Sequence, residues 1–134
     1  MKKLNKSIKI ILLISFLFLQ SCATIDKKYH HSVNGDNYFE QGLYDLAIAE
    51  YTKAIEIDPK YGSCYCDRGR AYFYKGEYDR ASSDINKGIE LFKGLTGSAE
   101  CYLGRGEVYV LKGQYVQGIS DFGIYRATSI CNSL

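Results

Sequence analysis

From Tyr44 onward the apolar positions recur at spacings of three and four, the period of an α-helix. Tyr44, Ala47, Ile48, Tyr51, Ala54 and Ile55 make one such stripe; Tyr65, Gly69 and Tyr72 make a second, and Tyr78, Ala81, Ile85 and Ile89 a third. Each stripe is bounded by a breaker. Gly76-Glu77 ends the second, and Asp58-Pro59 ends the first, because proline disfavours helical geometry in the residue before it. The pattern predicts helices joined by short turns.

The stripes belong to a repeat. Asn34-Gly35, Tyr38, Gly42, Tyr44, Ala47 and Glu50 return at an offset of 34 as Arg68-Gly69, Tyr72, Gly76, Tyr78, Ala81 and Asp84. A third copy, displaced by a further 37, reads Arg105-Gly106, Tyr109, Gly113, Tyr115, Gly118 and Asp121. The three surplus residues are placed in Lys93-Gly94-Leu95-Thr96-Gly97. Glycine inside a helix costs ~1 kcal/mol against alanine. Gly35, Gly69 and Gly106 at matching positions therefore predict a partner helix passing too close for a Cβ. Arg68/Asp84 and Arg105/Asp121 share the spacing i, i+16, one on each helix of a hairpin, and are read as ion pairs within a unit. Asn34 and Glu50 take these places in the first unit, with a hydrogen bond expected between them.

A helix-turn-helix repeating at this interval with Gly, Tyr, Gly, Tyr and Ala at these places, closing on Ala54-Ile55-Glu56-Ile57-Asp58-Pro59, resembles the tetratricopeptide repeat. The resemblance covers residues 28 to about 130. It implies an all-α fold of three repeats, at about 28–61, 62–95 and 99–132, stacked as a short right-handed solenoid. The sequence departs from the family at His31, at Gly88 and Tyr125 where a small Ala is usual, and at Lys93 and Ile130 in place of Pro. The first helix of each unit would build the concave wall, with Ser32, Asp36, Phe39 and Glu40, then Cys66, Arg70, Phe73 and Tyr74, then Leu103, Glu107, Val110 and Leu111. Of these, Asp36, Phe39, Glu40, Arg70, Phe73, Tyr74, Glu107 and Leu111 are the candidate contacts to a peptide or protein partner. Some family members grip a partner's terminal carboxylate with Lys, Asn and Arg on this wall. Here those places hold Ser32, Asp36, Asp67, Glu100 and Gly104, so that clamp is absent.

The chain opens differently. Met1 to Lys9 is basic, and Ile10 to Leu19 is apolar but for Ser15, which matches the charged and apolar regions of a secretory signal. Ten residues span only about 15 Å as a helix, half of a ~30 Å hydrocarbon core, so a cleaved signal is favoured over a membrane anchor. Leu19-Gln20-Ser21-Cys22 resembles the lipobox of bacterial lipoproteins. That resemblance implies a signal peptide over residues 1–21, a fatty acid such as palmitate on Cys22, a lipidated tether over 22–28 and the repeat domain over 28–134. Ala23 is not the Asp that would retain such a protein at an inner membrane, which implies the outer membrane, facing the periplasm.

Removing the leader changes the charge. Of 17 Lys and Arg, four (Lys2, Lys3, Lys6 and Lys9) lie in it, leaving 13 basic against 15 acidic residues. No basic run longer than Lys27-Lys28 follows, so nucleic acid is not expected as a partner. An exported protein meets oxidising conditions, and Cys64, Cys66, Cys101 and Cys131 lack zinc-site spacing; disulfides are expected rather than metal. Cys101 and Cys131 should meet at one end of the last hairpin and staple it, with Cys66–Cys101 as the competing pair. Without such a staple, the uncovered apolar face of the last helix would be closed by self-association or a partner. His30 and His31 are read as surface or packing residues. No nucleophile elbow, P-loop, zinc-protease motif or complete dinucleotide fingerprint is present, and neither a cofactor nor an enzyme activity is expected. The favoured reading is a membrane-tethered adaptor binding a protein in its groove. The alternatives are an envelope-associated enzyme and a purely structural envelope lipoprotein.

Overall fold

A computed structural model describes residues 5–92 and 99–132, with the backbone alone at 18–26 and 132. It places six helices in the described residues: α1 Lys6–Glu40, α2 Tyr44–Ile57, α3 Gly62–Tyr74, α4 Tyr78–Phe92, α5 Ala99–Leu111 and α6 Tyr115–Asn132. They pair as three hairpins, α1 with α2, α3 with α4 and α5 with α6. The hairpins stack through α2 on α3, α4 on α5, and α3 on both α1 and α5. The segment Lys93–Gly97, where the surplus residues were placed, lies outside the described residues.

The same device turns the chain inside every hairpin. Gly42, Gly76 and Gly113 have φ of 73°, 82° and 74°, a backbone region open to glycine without steric penalty. At the first turn the N–H of Gly42 donates to the Phe39 carbonyl and that of Leu43 to the Tyr38 carbonyl, both at 2.9 Å. The two later turns repeat this at Gly76 and Glu77 and at Gly113 and Gln114. This is a Schellman closure, which satisfies carbonyls that the helix end would otherwise leave unpaired. Between the first two hairpins Pro59 acts as expected. Asp58 is extended, at φ −136° and ψ 92°, and ends α2.

The three helical glycines mark close helix contacts, as their spacing predicted. A Cβ on Gly35 would stand 2.5 Å from a ring carbon of Tyr51, one on Gly69 2.6 Å from Ile85 Cγ1, and one on Gly106 2.6 Å from Phe122 Cε1. Around these contacts lies the core: Ala47, Tyr51, Ala54, Ile55, Cys64 and Ala71 in one cluster, and Cys66, Ala81, Ile85, Cys101 and Val108 in the next. Gly88 stands in for the family's alanine because its Cβ would collide with Cys66 Sγ and come within 2.9 Å of the Gly62 carbonyl.

The stretch 22–28, read as a tether, has helical backbone and joins the leader to the first repeat in one 35-residue helix. No glycine or proline occurs from Lys6 to Val33 to interrupt it. Its leader side chains from Ile8 to Leu17 are exposed, and no helix of the described residues is long and apolar enough to cross a membrane. The expectation of a Cys101–Cys131 staple is corrected. Cys66 bonds Cys101, with Cα atoms 5.1 Å apart, while Cys131 is exposed and free. Cys101 is on the face of α5 buried against the preceding hairpin, so its sulfur points away from the end of α6. The cross-link therefore joins two repeats rather than closing one. Tying 35 residues of chain restricts the unfolded state by about 4 kcal/mol in the chain-entropy account.

Repeat arithmetic connects this bond to a second seam. Cys66 is equivalent to Ser32 at the offset of 34, and Cys101 to Cys64 at the offset of 37. Ser32 and Cys64 are both buried and hydrogen-bonded to each other, and burial pushes the Cys64 thiol up to about 12. The first seam thus holds a hydroxyl against a thiol where the second holds a disulfide. Ser32→Cys is expected to close a second inter-repeat disulfide in the oxidised protein. Peptide mapping under non-reducing conditions should find positions 32 and 64 linked, and Cys64 should lose its maleimide labelling in denaturant. A Cys64 that remains labelled would refute the equivalence of the two seams.

Candidate functional site

α1, α3 and α5 line one wall, and a cavity of about 390 Å³ opens on it between the first two repeats, bounded by Asp36, Phe39, Glu40, Tyr51, Asp67 and Arg70. Asp36, Phe39 and Glu40 follow one another along the last turns of α1, which the Schellman closure at Gly42 ends. Tyr51 reaches the cavity floor from α2 because Gly35 leaves room for its ring. Its hydroxyl donates to Asp36 Oδ1 at 2.8 Å. Burial, with the Asp67 charge nearby, holds that phenol far above its usual range.

Arg70 is laid across the wall. Its guanidinium stands 5.1 Å from the centre of the Phe39 ring, within cation–π range. Gly104 on α5 makes room for its stem, since a Cβ there would be 3.0 Å from Arg70 Cγ. Its Nε is buried and has no hydrogen-bond partner.

Carboxylates surround this one cation. Desolvation raises Asp36, against its hydrogen bond from Tyr51, and also raises Glu107, against the attraction of Arg70. Asp67 is half-buried by exposed area, but protein crowds its carboxyl group. Desolvation first, then Asp36, push it up to about 7, and Glu100 adds to the repulsion. Among the described residues no hydrogen bond or ion pair reaches the Asp67 side chain.

Beside the cavity runs a series of rings. Phe39 meets Tyr44 at 5.6 Å and Tyr74 at 5.5 Å, Tyr44 stacks on Tyr74 at 5.4 Å, and Phe73 meets Tyr74 at 5.4 Å and Tyr78 at 5.7 Å. Of the residues singled out in the sequence, Asp36, Phe39, Glu40 and Arg70 therefore line the cavity, and Glu107 faces it through Arg70. Phe73 and Tyr74 stand outside it in the ring series, and Leu111 is exposed and borders neither. Tyr51 and Asp67 were missed as site residues. Tyr51 read as part of a core stripe, and the weight of Asp67 comes from its surroundings, which a single sequence does not display.

The hairpin ion pairs formed as read, each a two-bond fork. Arg68 Nε and Nη2 donate to Asp84 at 2.7 and 2.9 Å, and Arg105 Nε and Nη2 to Asp121 at 2.7 and 2.8 Å. The free arm of each crosses to the preceding repeat, Arg68 to Thr52 and Arg105 to Asn86. The first unit is corrected. Asn34 bonds His30 at 3.2 Å, and Glu50 bonds His31 at 2.7 Å and also pairs with Lys53. His31 thus has the acidic companion that its sequence neighbours did not reveal. Among the described residues no group of His, Cys, Asp and Glu is arranged to hold a metal ion.

Asp67 gives a pH dependence with a definite sign. Its folded value lies above the 3.8 of a free carboxyl, so the folded chain holds a proton that the unfolded chain has released. Its favourable contribution is complete below about pH 4 and is lost as pH rises toward 7. Asp67→Asn is expected to stabilise the fold at pH 7.5 by on the order of 1 kcal/mol and by much less at pH 4. Thermal melts of the two proteins across this range check it; a difference constant with pH would refute the shift.

Family profiles described as "TPR repeat" and "Tetratricopeptide repeat" match residues 35–76 and 62–93. No curated protein sequence is similar enough to be matched. Among solved structures, the first TPR of Spaghetti (RPAP3) bound to the HSP90 peptide SRMEEVD is similar at 28% identity and TM-score 0.69, over 77% of this chain and 79% of that one. The Arabidopsis OM64 TPR domain is similar at 20% identity and TM-score 0.71, over 78% and 84%. The TPR2B domain of yeast Sti1, in its pHsp70 complex, is similar at 20% identity and TM-score 0.68, over 76% and 79%. Hairpins with a common turn, glycine contacts and a recurring arginine–aspartate fork, together with these matches, make this an all-α helical repeat fold in which tetratricopeptide repeats are recognised over residues 35–93.

Proposed function

We propose that the chain is a lipid-anchored adaptor that holds a protein or peptide partner against the wall formed by α1, α3 and α5, at the periplasmic face of an outer membrane. The observation that carries the binding part is the cavity at Asp36, Phe39 and Arg70, on a fold whose similar structures include one bound to a peptide at 28% identity. A concave wall mixing rings with charged groups suits an extended peptide segment.

The anchoring part rests on Leu19-Gln20-Ser21-Cys22 and the basic and apolar run before it. Several acyl chains on Cys22 would hold the protein permanently, where one alone binds marginally.

Two experiments test the two parts separately. A photo-crosslinking residue at Tyr74, beside the groove, is expected to give a discrete adduct in living cells, and the same residue at Glu56, on the exposed side of α2, none. Equal yields at the two positions would remove the groove from the proposal. Cys22→Ala is expected to abolish incorporation of labelled palmitate and to leave an uncleaved precursor; unchanged labelling would remove the anchor.

A further inference from the structure

The charge of the wall narrows what it can hold. Asp36, Glu40, Asp67, Glu100 and Glu107 lie within electrostatic reach of one another or of Arg70. Five carboxylates against one guanidinium leave a formal charge of −4 on this surface. An acidic segment like the SRMEEVD peptide in the similar structure would meet like charges here, and such juxtaposition costs several kcal/mol.

An acidic cluster alone is an ordinary solvated surface. Two further groups set this one apart. The Asp67 carboxyl is crowded by protein, lines the cavity and receives no hydrogen bond from the described residues. Arg70 Nε, beside it, is buried and donates to nothing. The Asp67 carboxyl, still accessible from the cavity, carries a desolvation cost that no hydrogen bond among the described residues offsets. A ligand that brings a cationic donor to it offsets that cost.

We propose that the groove takes a cationic peptide segment, with a Lys or Arg side chain of the partner entering the cavity between Asp36 and Asp67. This rests on the reading of the wall as a peptide groove. A volume of about 390 Å³ is at the small end for ligand cavities and suits one long side chain rather than a whole helix. Glu40 and Glu107 lie on either side of the cavity, on α1 and α5, where further basic residues of the segment would meet them. A bound cation also favours the ionised form of Asp67. The groups facing that carboxyl, Asp36 from α1, Tyr51 from α2, Cys64 and Arg70 on its own helix and Glu100 from α5, include no second cation to do so.

The full chain, kept in a neutral detergent, can be probed with an array of random decapeptides. Bound peptides are expected to be enriched in Lys and Arg. The tightest of them should bind at least about tenfold more weakly to Asp67→Asn and to Asp36→Asn, scaled to the loss of one partner of a buried charge pair. It should also weaken with added salt and bind Glu56→Gln as it binds the parent. Circular dichroism melts confirm that each variant is folded. Bound peptides that are acidic or uncharged, or affinity unmoved by Asp67→Asn, would overturn the cationic assignment and leave the groove standing. Spermidine binding as tightly as the best peptide would overturn the peptide as the source of the cation. No bound peptide at all, together with equal crosslinking at positions 74 and 56, would bring down the groove reading itself.

Discussion

The distance between the two helices of each hairpin governs the rest of this structure. Tyr51, Ile85 and Phe122 lie so close over Gly35, Gly69 and Gly106 that a single methyl group would be 2.5 to 2.6 Å from them. Interiors packed to crystal density have no slack for such a group. Because the helices approach this closely, an arginine just before the second and third of these glycines can reach the aspartate at i+16 with both arms of its fork. Because the aspartates at 84 and 121 are buried, their arginines cannot be withdrawn without leaving a charge unpaired, at about 3–5 kcal/mol. Glycine sets the separation, and the fork then fixes the register along the two helices.

Stacking of one hairpin on the next uses what remains free. The third nitrogen of each fork reaches Thr52 or Asn86, equivalent positions of successive units, so the pair that orders a hairpin also aligns it on its predecessor. The sulfur pairs work at the same seams. A hydroxyl faces a thiol at the first, and a disulfide closes the second, where Gly88 takes the alanine place to admit Cys66. The unusual glycine and the cross-link are one adaptation seen from two sides. Lys28 makes a further tie across the first unit, pairing with Asp58 at 2.8 Å and lying over the Tyr61 ring at 4.6 Å. It thereby connects the start of the first repeat to the turn that begins the second.

The features legible in the sequence were those that repetition exposes. Gly35, Gly69 and Gly106, the turn glycines, and Arg68/Asp84 with Arg105/Asp121 recur in register, so their roles followed from spacing. What broke the repeat was harder to read. Asn34 and Glu50 inherit the fork positions, but an amide lacks the reach and charge of a guanidinium, and Glu50 turns to His31 and Lys53 instead. The Cys101–Cys131 pairing follows from which end of a hairpin each residue occupies, whereas the face of the helix decides, and it directs Cys101 to the neighbouring repeat. The helical backbone of residues 22–28 was hidden because a cleavage motif names a bond and says nothing of conformation. On the wall, Asp36, Phe39, Glu40 and Arg70 were reached through the family pattern. Asp67 stood out only as an occupant of a clamp position, since its crowding depends on α1 and α5 arriving from elsewhere in the chain.

Arg70 shows how the wall stays folded with so many like charges. Its guanidinium lowers Asp36, Asp67 and Glu107 at once, yet it is fixed to none of them by an ion pair and rests on Phe39, with its stem over Gly104. It therefore acts as a shared counterion for three helices. Sharing limits what it can do for each: Asp36, Glu107 and above all Asp67 remain raised in spite of it. Stability near neutral pH is reduced by this arrangement, since ionising Asp67 is opposed in the folded chain and unopposed in the unfolded one. A fold that needed the aspartate only for packing would hold it more easily as an uncharged residue. At the cavity Asp67 has Arg70 as its one attractive partner among the charges near it, and a second positive charge arriving from outside the chain would favour its ionised form.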